Sequence, residues 1–353
     1  MERYWFGVGL DDHGYPSTQR HQTNNQHKMM IKKNILQLAK LLTMVIASFS
    51  GVNAQGFEAL ISNERSGDII HVDSAGQTTH VVEICNRPRG MTKGLTPSEV
   101  VIACSDDNKV VIYDRFKQQV IKTIDSVPGA MNISIHQQSG RLIVSNEGLS
   151  QASVYDLSTT NLIAQLSTGL EPDGVVITDD GKYIFVASEN AGLVHVFDGS
   201  NYQPIGAIRT NLRPRRIALL DQELWVSSEM GSRVEIFDVS TQAKIDEIIF
   251  APRGFRPEQM TPVDILFNQP ANEAYVALGS ANHVAVVDIK TREITKYILV
   301  GRRAWGLGLA PDGQTLAVLN GLSDDFTFID LNSKRPRLTK RAGLVPHAIE
   351  VFE

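Results

Sequence analysis

The sequence is poor in cysteine and has no excess of positive charge. Only two of its 353 residues are cysteine, which excludes a small fold held together by a disulfide framework. The formal net charge is −5, and this mild negative balance argues against a dedicated nucleic-acid-binding protein, which usually presents a basic face. With 42% hydrophobic residues the composition is that of an ordinary globular protein, and the chain is long enough to bury a large core.

The sequence also lacks the short motifs that mark common catalytic centres. HExxH, the P-loop, GxSxG and paired CxxC are all absent. We therefore predict no catalytic residue and no metal ligand, and we expect no cofactor.

Long hydrophobic runs are missing as well, apart from one segment near the N-terminus. Residues 29–54 have a basic start at Lys32 and Lys33, an apolar stretch, and small residues at Val52 and Ala54, which is the pattern of a cleaved signal peptide. A short transmembrane anchor is the alternative, but Lys40 interrupts the stretch and a spanning helix needs about 20 apolar residues. We expect a periplasmic or secreted protein with no membrane span after signal cleavage.

Residues 1–28 are polar and show no hydrophobic periodicity. Because signal peptides rarely follow so long a segment, we interpret this N-terminal extension as a mis-assigned start, with translation beginning at Met29 or Met30. The remaining residues, 55–353, are predicted to form one domain.

What the sequence does contain is one strand pattern repeated seven times. Alternating apolar and polar residues end in an aspartate in "LVHVFD" and again in "RVEIFD". The aspartates that end this pattern are Asp73, Asp114, Asp156, Asp198, Asp238, Asp288 and Asp330, at steps of 41, 42, 42, 40, 50 and 42 residues. A period near 42 residues with four strand signals per unit predicts an all-β, seven-bladed β-propeller of four-stranded blades.

The two ends of the repeat region complement each other. The repeats begin with "FEALISN", which matches a second strand, and end with "PHAIEVFE", which matches an inner strand. The C-terminal strand is therefore predicted to join the first blade and close the ring, which removes exposed sheet edges. Each recurring aspartate is expected to accept hydrogen bonds from the backbone of the turn that follows it.

Several of these segments resemble a known family. "TDDGKYIFVASENAGLVHVFD" and "GRRAWGLGLAPDGQTLAVLNGLSDDFTFIDLNS" are similar to the YVTN-type seven-bladed propellers. "NRPRGM", "TNLRPRRIAL" and "TPVDILFNQPANEAYVALGSANHVAVVDIKTREITKY" resemble more closely the pyrroloquinoline quinone-dependent catabolism-associated propeller proteins. The resemblance covers nearly all of residues 57–353. It implies an accessory protein of quinoprotein alcohol oxidation or of a neighbouring transport system, and it assigns no catalytic residue.

One residue near the start of each inner strand should lie around the mouth of the central channel. These positions follow one another at steps of 42, 42, 42, 48, 42 and 42 residues, and most of them are Arg, Asp, Trp or His. Arg makes bidentate hydrogen bonds to carboxylates and stacks on aromatic rings, so the mouth is predicted to bind a small anionic ligand or a protein partner. The predicted binding residues are Arg87, Arg89, Asp173, Arg213, Arg215, Arg216, Arg302, Arg303, Trp305 and His347.

An alternative interpretation of these arginines remains open. Glu64, Glu147, Glu189 and Glu229 end second strands on the same face, where they would pair with arginines of neighbouring blades. Such a network would only orient the loops, and each partly exposed pair would contribute about 0–1 kcal/mol.

The longest irregular segment is "FAPRGFRPEQMTPVD", residues 250–264, before the inner strand of the sixth blade. Long loops on rigid scaffolds often carry binding residues, and Arg253, Phe255, Arg256 and Met260 are the candidates here. A solvated insertion without function is the alternative.

Cys85 is predicted to end an outer strand and Cys104 the second strand of the next blade. An oxidising compartment would permit a disulfide, but such positions are seldom within the Cα separation of about 7 Å that a disulfide requires. We therefore expect the two cysteines to be unpaired.

Taken together, these features favour a monomeric, non-catalytic binding scaffold. One alternative is a propeller-type enzyme such as a lactone hydrolase, for which Asp173, Asp264 and His347 are the candidates on the inner ring. The neighbouring arginines would repel the cation that such a site needs. A further alternative is a subunit of a quinoprotein dehydrogenase complex, which only the resemblance supports.

Overall fold

The computed structural model describes residues 56–353, and the structural statements below concern this part of the chain. The predicted signal peptide and N-terminal extension lie outside the described residues. Residues 56–353 form 28 β-strands and three short 3-10 helices, at Glu229–Gly231, Pro257–Gln259 and Gln269–Ala271. The strands are β1 Glu58–Asn63, β2 Asp68–Asp73, β3 Thr78–Glu83, β4 Pro88–Lys93, β5 Glu99–Cys104, β6 Lys109–Asp114, β7 Gln119–Asp125, β8 Ala130–His136, β9 Arg141–Asn146, β10 Gln151–Asp156, β11 Leu162–Ser167, β12 Pro172–Ile177, β13 Tyr183–Ser188, β14 Leu193–Asp198, β15 Pro204–Arg209, β16 Pro214–Leu220, β17 Glu223–Ser228, β18 Arg233–Asp238, β19 Lys244–Ile249, β20 Asp264–Asn268, β21 Glu273–Ala277, β22 His283–Asp288, β23 Ile294–Leu299, β24 Ala304–Leu309, β25 Thr315–Asn320, β26 Asp325–Asp330, β27 Arg335–Arg341 and β28 Pro346–Phe352.

The strands form seven antiparallel, four-stranded sheets. Blade 1 contains β28, β1, β2 and β3, and each following blade takes the next four strands in chain order, from β4–β7 in blade 2 to β24–β27 in blade 7. The inner strands β28, β4, β8, β12, β16, β20 and β24 contact one another in this cyclic order. The prediction of an all-β, seven-bladed propeller of four-stranded blades is confirmed.

The C-terminal strand closes the ring, as predicted. β28 pairs antiparallel with β1, with Glu58 opposite Phe352 and Ile61 opposite Ile349. Blade 1 therefore combines strands from the two ends of the repeat region, and the inner edge of β1 is covered by backbone hydrogen bonds.

The core lies between neighbouring blades, because the middle strands of each sheet bury both faces. Between blades 4 and 5, for example, Phe185 and Val196 of one blade pack against Leu224 and Phe237 of the next. All four side chains are at most 2% exposed. The outer strands carry mostly exposed residues, so the hydrophobic contacts hold adjacent blades together around the channel.

The recurring aspartates cap the turns that follow the third strands. Asp198 Oδ1 accepts hydrogen bonds from the backbone N–H groups of Ser200 at 2.8 Å and Asn201 at 3.2 Å. Corresponding bonds occur at the other six aspartates. At Asp238 the hydrogen bonds from Thr241 and Ser240 lower the pKa to about 2. The structural role predicted for this repeated residue is confirmed.

The prediction that the two cysteines are unpaired is wrong. Cys85 and Cys104 form a disulfide, with their Cα atoms 5.9 Å apart. The outer strand β3 ends at Glu83, so Cys85 lies in the connection that runs inward from blade 1 to β4. That connection passes the end of β5, where Cys104 is completely buried. The disulfide therefore ties the crossing between blades 1 and 2 to blade 2.

Reduction of the disulfide is expected to destabilise the protein by about 3 kcal/mol, because the bond closes a loop with a sequence separation of 19 residues. Thermal unfolding followed by circular dichroism, with and without a thiol reductant, measures this change as a lower midpoint. The Cys85→Ala, Cys104→Ala double variant should unfold at a lower temperature and should not respond to the reductant. An unchanged midpoint after complete reduction would contradict the prediction.

Candidate binding site at the channel mouth

The mouth face is defined here as the face that carries the connections into the inner strands and the loops between second and third strands. Most inner strands begin on this face with a β-bulge. In blade 4, Pro172 pairs with Ser188 and Val175 with Val186, so that Asp173 and Gly174 both lie opposite one residue of β13. Similar irregularities occur near the start of β4, β8, β16, β24 and β28. Six of the seven predicted mouth positions therefore lie in bulges, which change the direction in which the side chains point.

The bulges bring neighbouring inner strands into close contact. A Cβ atom added to Gly174 would lie 2.2 Å from the carbonyl oxygen of Arg215, and one added to Gly90 would lie 2.7 Å from that of Met131. Glycine at these two positions thus allows the next inner strand to approach closely enough for the charged side chains to meet.

Arg215 is the centre of a buried ion-pair network. Its Nη2 lies 3.1 Å from Asp173 Oδ2, and its Nη1 lies 2.7 Å from Glu189 Oε1 and 3.1 Å from Glu229 Oε2. Arg213 contacts the same two glutamates, with its Nε 2.8 Å from Glu189 and 3.1 Å from Glu229. Two guanidinium groups therefore face three carboxylates, and their charges are largely compensated inside the protein.

A second network joins blades 1, 2 and 3. Arg87 Nε lies 3.0 Å from Glu64 Oε1, and Arg89 Nη1 lies 3.6 Å from both Glu64 Oε1 and Glu147 Oε2. Arg87 Nη2 lies 3.7 Å from Glu147 Oε2, and Glu147 belongs to blade 3. Pairing between arginines and the glutamates of neighbouring blades, the alternative left open by the sequence, is thus observed for Arg87, Arg89, Arg213 and Arg215.

The crowding of charges shifts the pKa values of the buried acids in opposite directions. Burial opposes ionisation of Asp173, but Arg215 and Arg216 outweigh it and lower the pKa of this carboxyl. Burial and the neighbouring Asp173 carboxylate raise the pKa of Glu189 to about 8. The network therefore keeps the Asp173 carboxylate ionised, and Glu189 is the group that gains a proton most readily.

Behind the mouth, four polar side chains link five inner strands across the channel. Arg216 Nη1 donates a hydrogen bond to Asn132 Oδ1, and Asn132 Nδ2 donates to Asp173 Oδ1. Arg216 Nε lies 3.7 Å from Asp264 Oδ1, and Asp264 Oδ2 accepts the N–H of Leu307 at 2.9 Å. Burial raises the pKa of Asp264. Asn132 was not predicted as a site residue, and its only signal is that it occupies the same repeat position as Arg216.

Trp305 provides the aromatic surface of the mouth. The guanidinium carbons of Arg215 and Arg303 lie 4.6 Å and 4.4 Å from its ring centroid, within the range of a cation–π contact. The ring of His347 lies beside it, with a centroid distance of 5.9 Å. The structure thus places Arg215, Arg303 and His347 around Trp305.

Several buried polar atoms at the mouth have no hydrogen-bond partner of normal geometry among the described residues. They are Arg89 Nε, both ring nitrogens of His347, and Asp173 Oδ2, whose contact with Arg215 is an ion pair only. Burial lowers the pKa of His347 well below its ordinary value, and Arg89, Arg216 and Arg215 lower it further. His347 is therefore held neutral, although a contact of its ring with the backbone of Arg89 acts on its pKa in the opposite direction.

Arg302 and Arg303 differ from the other arginines of the mouth. Among residues 56–353 neither forms an ion pair with a carboxylate, and burial lowers the pKa of Arg303, with Arg215 and Arg213 acting in the same direction. Arg302 is exposed, whereas Arg303 is half-buried against Trp305. Arg302 and Arg303 thus add positive charge without an ion pair to the loop before β24, and the exposed Arg65, Arg253 and Arg256 on the same face also form none within residues 56–353.

The insertion before β20 contributes only part of the predicted contact surface. Arg253 and Arg256 are exposed, but Phe255 packs partly into the hydrophobic core with its ring centroid 5.3 Å from that of His283. Met260 is 1% exposed and belongs to the core, so its prediction as a contact residue is wrong. Phe255 and Met260 anchor the loop, while Arg253 and Arg256 face solvent together with Glu258.

The residues named for a hydrolase site do not converge. Asp173, Asp264 and His347 each contact different groups, and in residues 56–353 no three or more His, Cys, Asp or Glu side chains are grouped to hold a metal ion. Over the same range, no helix has the length and apolar character needed to cross a membrane.

Comparisons with known proteins agree with the propeller architecture. Residues 149–318, from just before the third strand of blade 3 to the second strand of blade 7, match the family model described as "Choice-of-anchor I domain". No curated protein matches the chain.

Solved structures with the same fold have low sequence identity to this chain. One belongs to hydrazine synthase of Kuenenia stuttgartiensis, with 15% identity, a TM-score of 0.66, and coverage of 74% of this chain and 88% of that chain. A functionally unknown protein from Desulfotomaculum acetoxidans DSM 771 has 11% identity, a TM-score of 0.72, and coverage of 84% and 99%. A dihydro-heme d1 dehydrogenase has 11% identity, a TM-score of 0.63, and coverage of 83% and 74%. At this identity the similarity shows the fold alone.

The two kinds of mouth arginine are expected to differ in their effect on stability. Arg215→Met should destabilise the protein by about 3 kcal/mol, because it leaves the buried carboxylate of Asp173 without its ion-pair partner and removes contacts to Glu189 and Glu229. Arg303→Met should cost about 1 kcal/mol or less, since it removes one cation–π contact and no ion pair among the described residues. Chemical denaturation of both variants measures the difference, and equal losses would contradict the assigned roles.

Proposed function

We propose that the protein is a non-catalytic binding scaffold outside the cytoplasm, which recognises a carboxylate group at the mouth face. The observation that carries this proposal is the set of unused hydrogen-bond donors beside an arginine that lacks an ion pair within residues 56–353. Arg89 Nε and the neutral ring of His347 have no partner there, and Arg303 stacks on Trp305. Buried polar atoms in native proteins are almost always hydrogen-bonded, so these atoms point to a bound group.

The chemistry of the donors favours an anion with planar oxygen atoms. The guanidinium of Arg303 lies 4.4 Å from the centroid of the Trp305 ring, and its planar group carries paired N–H donors that match the geometry of a carboxylate. His347 is kept neutral by its surroundings, so it adds a hydrogen bond without adding a charge. The carboxylates of Glu64, Glu147, Glu189 and Glu229 are already engaged with other arginines and leave Arg303 available.

The surroundings of the mouth favour a protein as the carrier of this carboxylate. Large apolar side chains in the loops of the mouth face are 48–66% exposed: Leu170, Leu212, Met230, Leu322 and Leu344. Leu212 and Met230 are adjacent, because the N–H of Met230 donates to the carbonyl of Leu212 at 3.3 Å. Exposed apolar groups around a polar centre are typical of protein interfaces. A protein with an acidic residue in its contact loop fits this arrangement, and a small anionic ligand is the second candidate occupant.

Two observations support a location outside the cytoplasm. The Cys85–Cys104 disulfide is of a kind that persists in oxidising compartments. The match to the choice-of-anchor family model favours a cell-surface or secreted protein.

The finer proposal is that the scaffold serves quinoprotein-dependent alcohol oxidation or an associated transport system. Its support is the sequence resemblance carried by "NRPRGM", "TNLRPRRIAL" and the segment from residue 261 onward. Binding between the purified full-length protein and a purified quinoprotein alcohol dehydrogenase, weakened by Arg303→Gln, would support it. Failure of the two proteins to bind would contradict the dehydrogenase link and leave the carboxylate proposal to its own test.

The carboxylate proposal is tested by calorimetric titration of the full-length protein with benzene-1,3,5-tricarboxylate, a planar anion. We expect binding that Arg303→Gln weakens about tenfold, because a charge-assisted hydrogen bond is lost. The matched variant Arg302→Gln removes the same charge one residue away, without the contact to Trp305, and should change the affinity by less than about threefold. The uncharged benzene-1,3,5-tricarboxamide should bind much more weakly. No binding of the tricarboxylate, or equal effects of the two variants, would refute the proposal.

A further inference from the structure

A second concave region lies at the other end of the channel. The opposite face carries the turns between first and second strands and between third and fourth strands, and it contains a cavity of about 1320 Å³. Blades 3 to 7 contribute to its lining, and none of the mouth residues discussed above takes part. Pockets for small organic ligands typically have volumes of about 300–1000 Å³, so this cavity is large enough to enclose such a molecule.

More of the exposed surface of the cavity is polar than apolar, but one wall is apolar and only partly covered. Val176, Leu219, Phe267 and Leu309 come from four successive inner strands, and each is half-buried. Each also touches a hydrophobic cluster between blades, so the wall is an extension of the core that opens to solvent. Phe267 is fixed by an edge-to-face contact with Trp225, at a centroid distance of 5.1 Å. An apolar surface of this kind favours the apolar part of a ligand.

The rim of the cavity is acidic. Four carboxylates, of Asp179, Asp180, Asp221 and Asp312, lie around it together with a single ammonium group, that of Lys182. Lys182 is directed to the ring of Tyr183, with its Nζ 4.8 Å from the centroid. The cavity therefore combines an apolar wall with a rim of net negative charge.

The four rim carboxylates are not equally engaged. Asp180 accepts hydrogen bonds from Thr178 Oγ1 at 2.6 Å and from the N–H of Lys182 at 3.0 Å, and Asp312 accepts the N–H of Gln314 at 2.9 Å. These bonds stabilise the turns. The side chains of Asp179 and Asp221 are exposed and make neither a hydrogen bond nor an ion pair within residues 56–353. Asp221 adopts the left-handed conformation (φ 52°) of the two-residue turn between β16 and β17, for which Asp is well suited. Its carboxylate, like that of Asp179, is nevertheless left available to a ligand.

We propose that this cavity is a second binding site, which takes a small molecule with an apolar body and a cationic group, such as an alkyl amine. The apolar body would lie against Val176, Leu219, Phe267 and Leu309, and the cation would lie at the rim beside Asp179 and Asp221. Charge complementarity decides the class of ligand: four carboxylates outnumber one ammonium, and opposite charges attract more strongly beside a low-dielectric wall than in bulk water. The site is independent of the mouth face, whose unpaired groups select an anion.

The probe for this site is dodecyltrimethylammonium, titrated calorimetrically below its critical micelle concentration into the full-length protein. We expect one bound molecule per chain, with an affinity about tenfold higher than that of uncharged dodecyl maltoside and with dodecyl sulfate the weakest of the three. Shortening the alkyl chain to decyl should weaken binding about tenfold, because two methylene groups leave the apolar wall.

The Asp179→Asn, Asp221→Asn variant should bind the cationic probe about tenfold more weakly and the uncharged probe unchanged. The matched control is Asp125→Asn, Asp246→Asn, which removes two exposed acids of outer strands and should bind both probes as the unaltered protein does. Circular dichroism confirms that each protein remains folded with the probe present. Binding of dodecyl sulfate as tight as that of the cation, a preference for the uncharged probe, or equal cation affinity in both double variants would overturn the proposal.

Discussion

The pairing of β28 with β1 is the interaction on which the rest of the structure depends. It completes blade 1 with an inner strand, and only then do all seven inner strands contact one another in a closed circle. The closed circle brings the bulged residues of different blades face to face. Arg89 of β4, Arg215 of β16, Trp305 of β24 and His347 of β28 are distant in the chain, yet they share one opening. His347 belongs to β28 itself, so the mouth is complete only when β28 has closed the ring.

Charge compensation explains how so many arginines can lie at one mouth without destabilising it. Arg87, Arg89, Arg213 and Arg215 are paired with glutamates and Asp173, and removal of one partner would leave a buried charge without compensation. These four arginines therefore have a structural role, because their ion pairs fix the loops of the mouth. The groups available to a ligand are fewer: Arg303, His347 and the Nε–H of Arg89. The two ends of the channel thus differ in the charge they offer, because the opposite end has an acidic rim.

Much of the fold could be predicted from the sequence, because each blade repeats the same strand pattern at a nearly constant spacing. The spacing of the aspartates predicted seven blades, and the incomplete units at the two ends predicted closure through blade 1. The mouth positions were also found, since they recur at the same place in each unit.

The disulfide was missed because the path of the connection after β3, and not the strand assignment, brings Cys85 to Cys104. The bulges and the role of Asn132 were missed because register is a property of two paired strands and leaves little trace in either one. The burial of Met260 depends on how the insertion folds back onto blade 6, which no local pattern shows.

The closure of the ring has a consequence for how the chain is made. The N–H of Ala348 donates to Ser62 Oγ across a sequence separation of 286 residues. A ribosome therefore synthesises nearly the whole propeller before β1 can pair with β28, its neighbour on the inner side. Until then the edge of β1 is a template for any strand with a similar pattern, including the six other inner strands of the same chain and those of neighbouring nascent chains. A wrong inner strand at this edge would give a ring with a missing blade or two chains joined together. The closing strand differs from the other inner strands at two such positions. It has His347 where they have Arg, Met, Asp, Val or Trp, and Glu350 where they have Thr, Ser, Val, Ala, Leu or Gly. Variation between repeats therefore distinguishes the closing strand from the other inner strands.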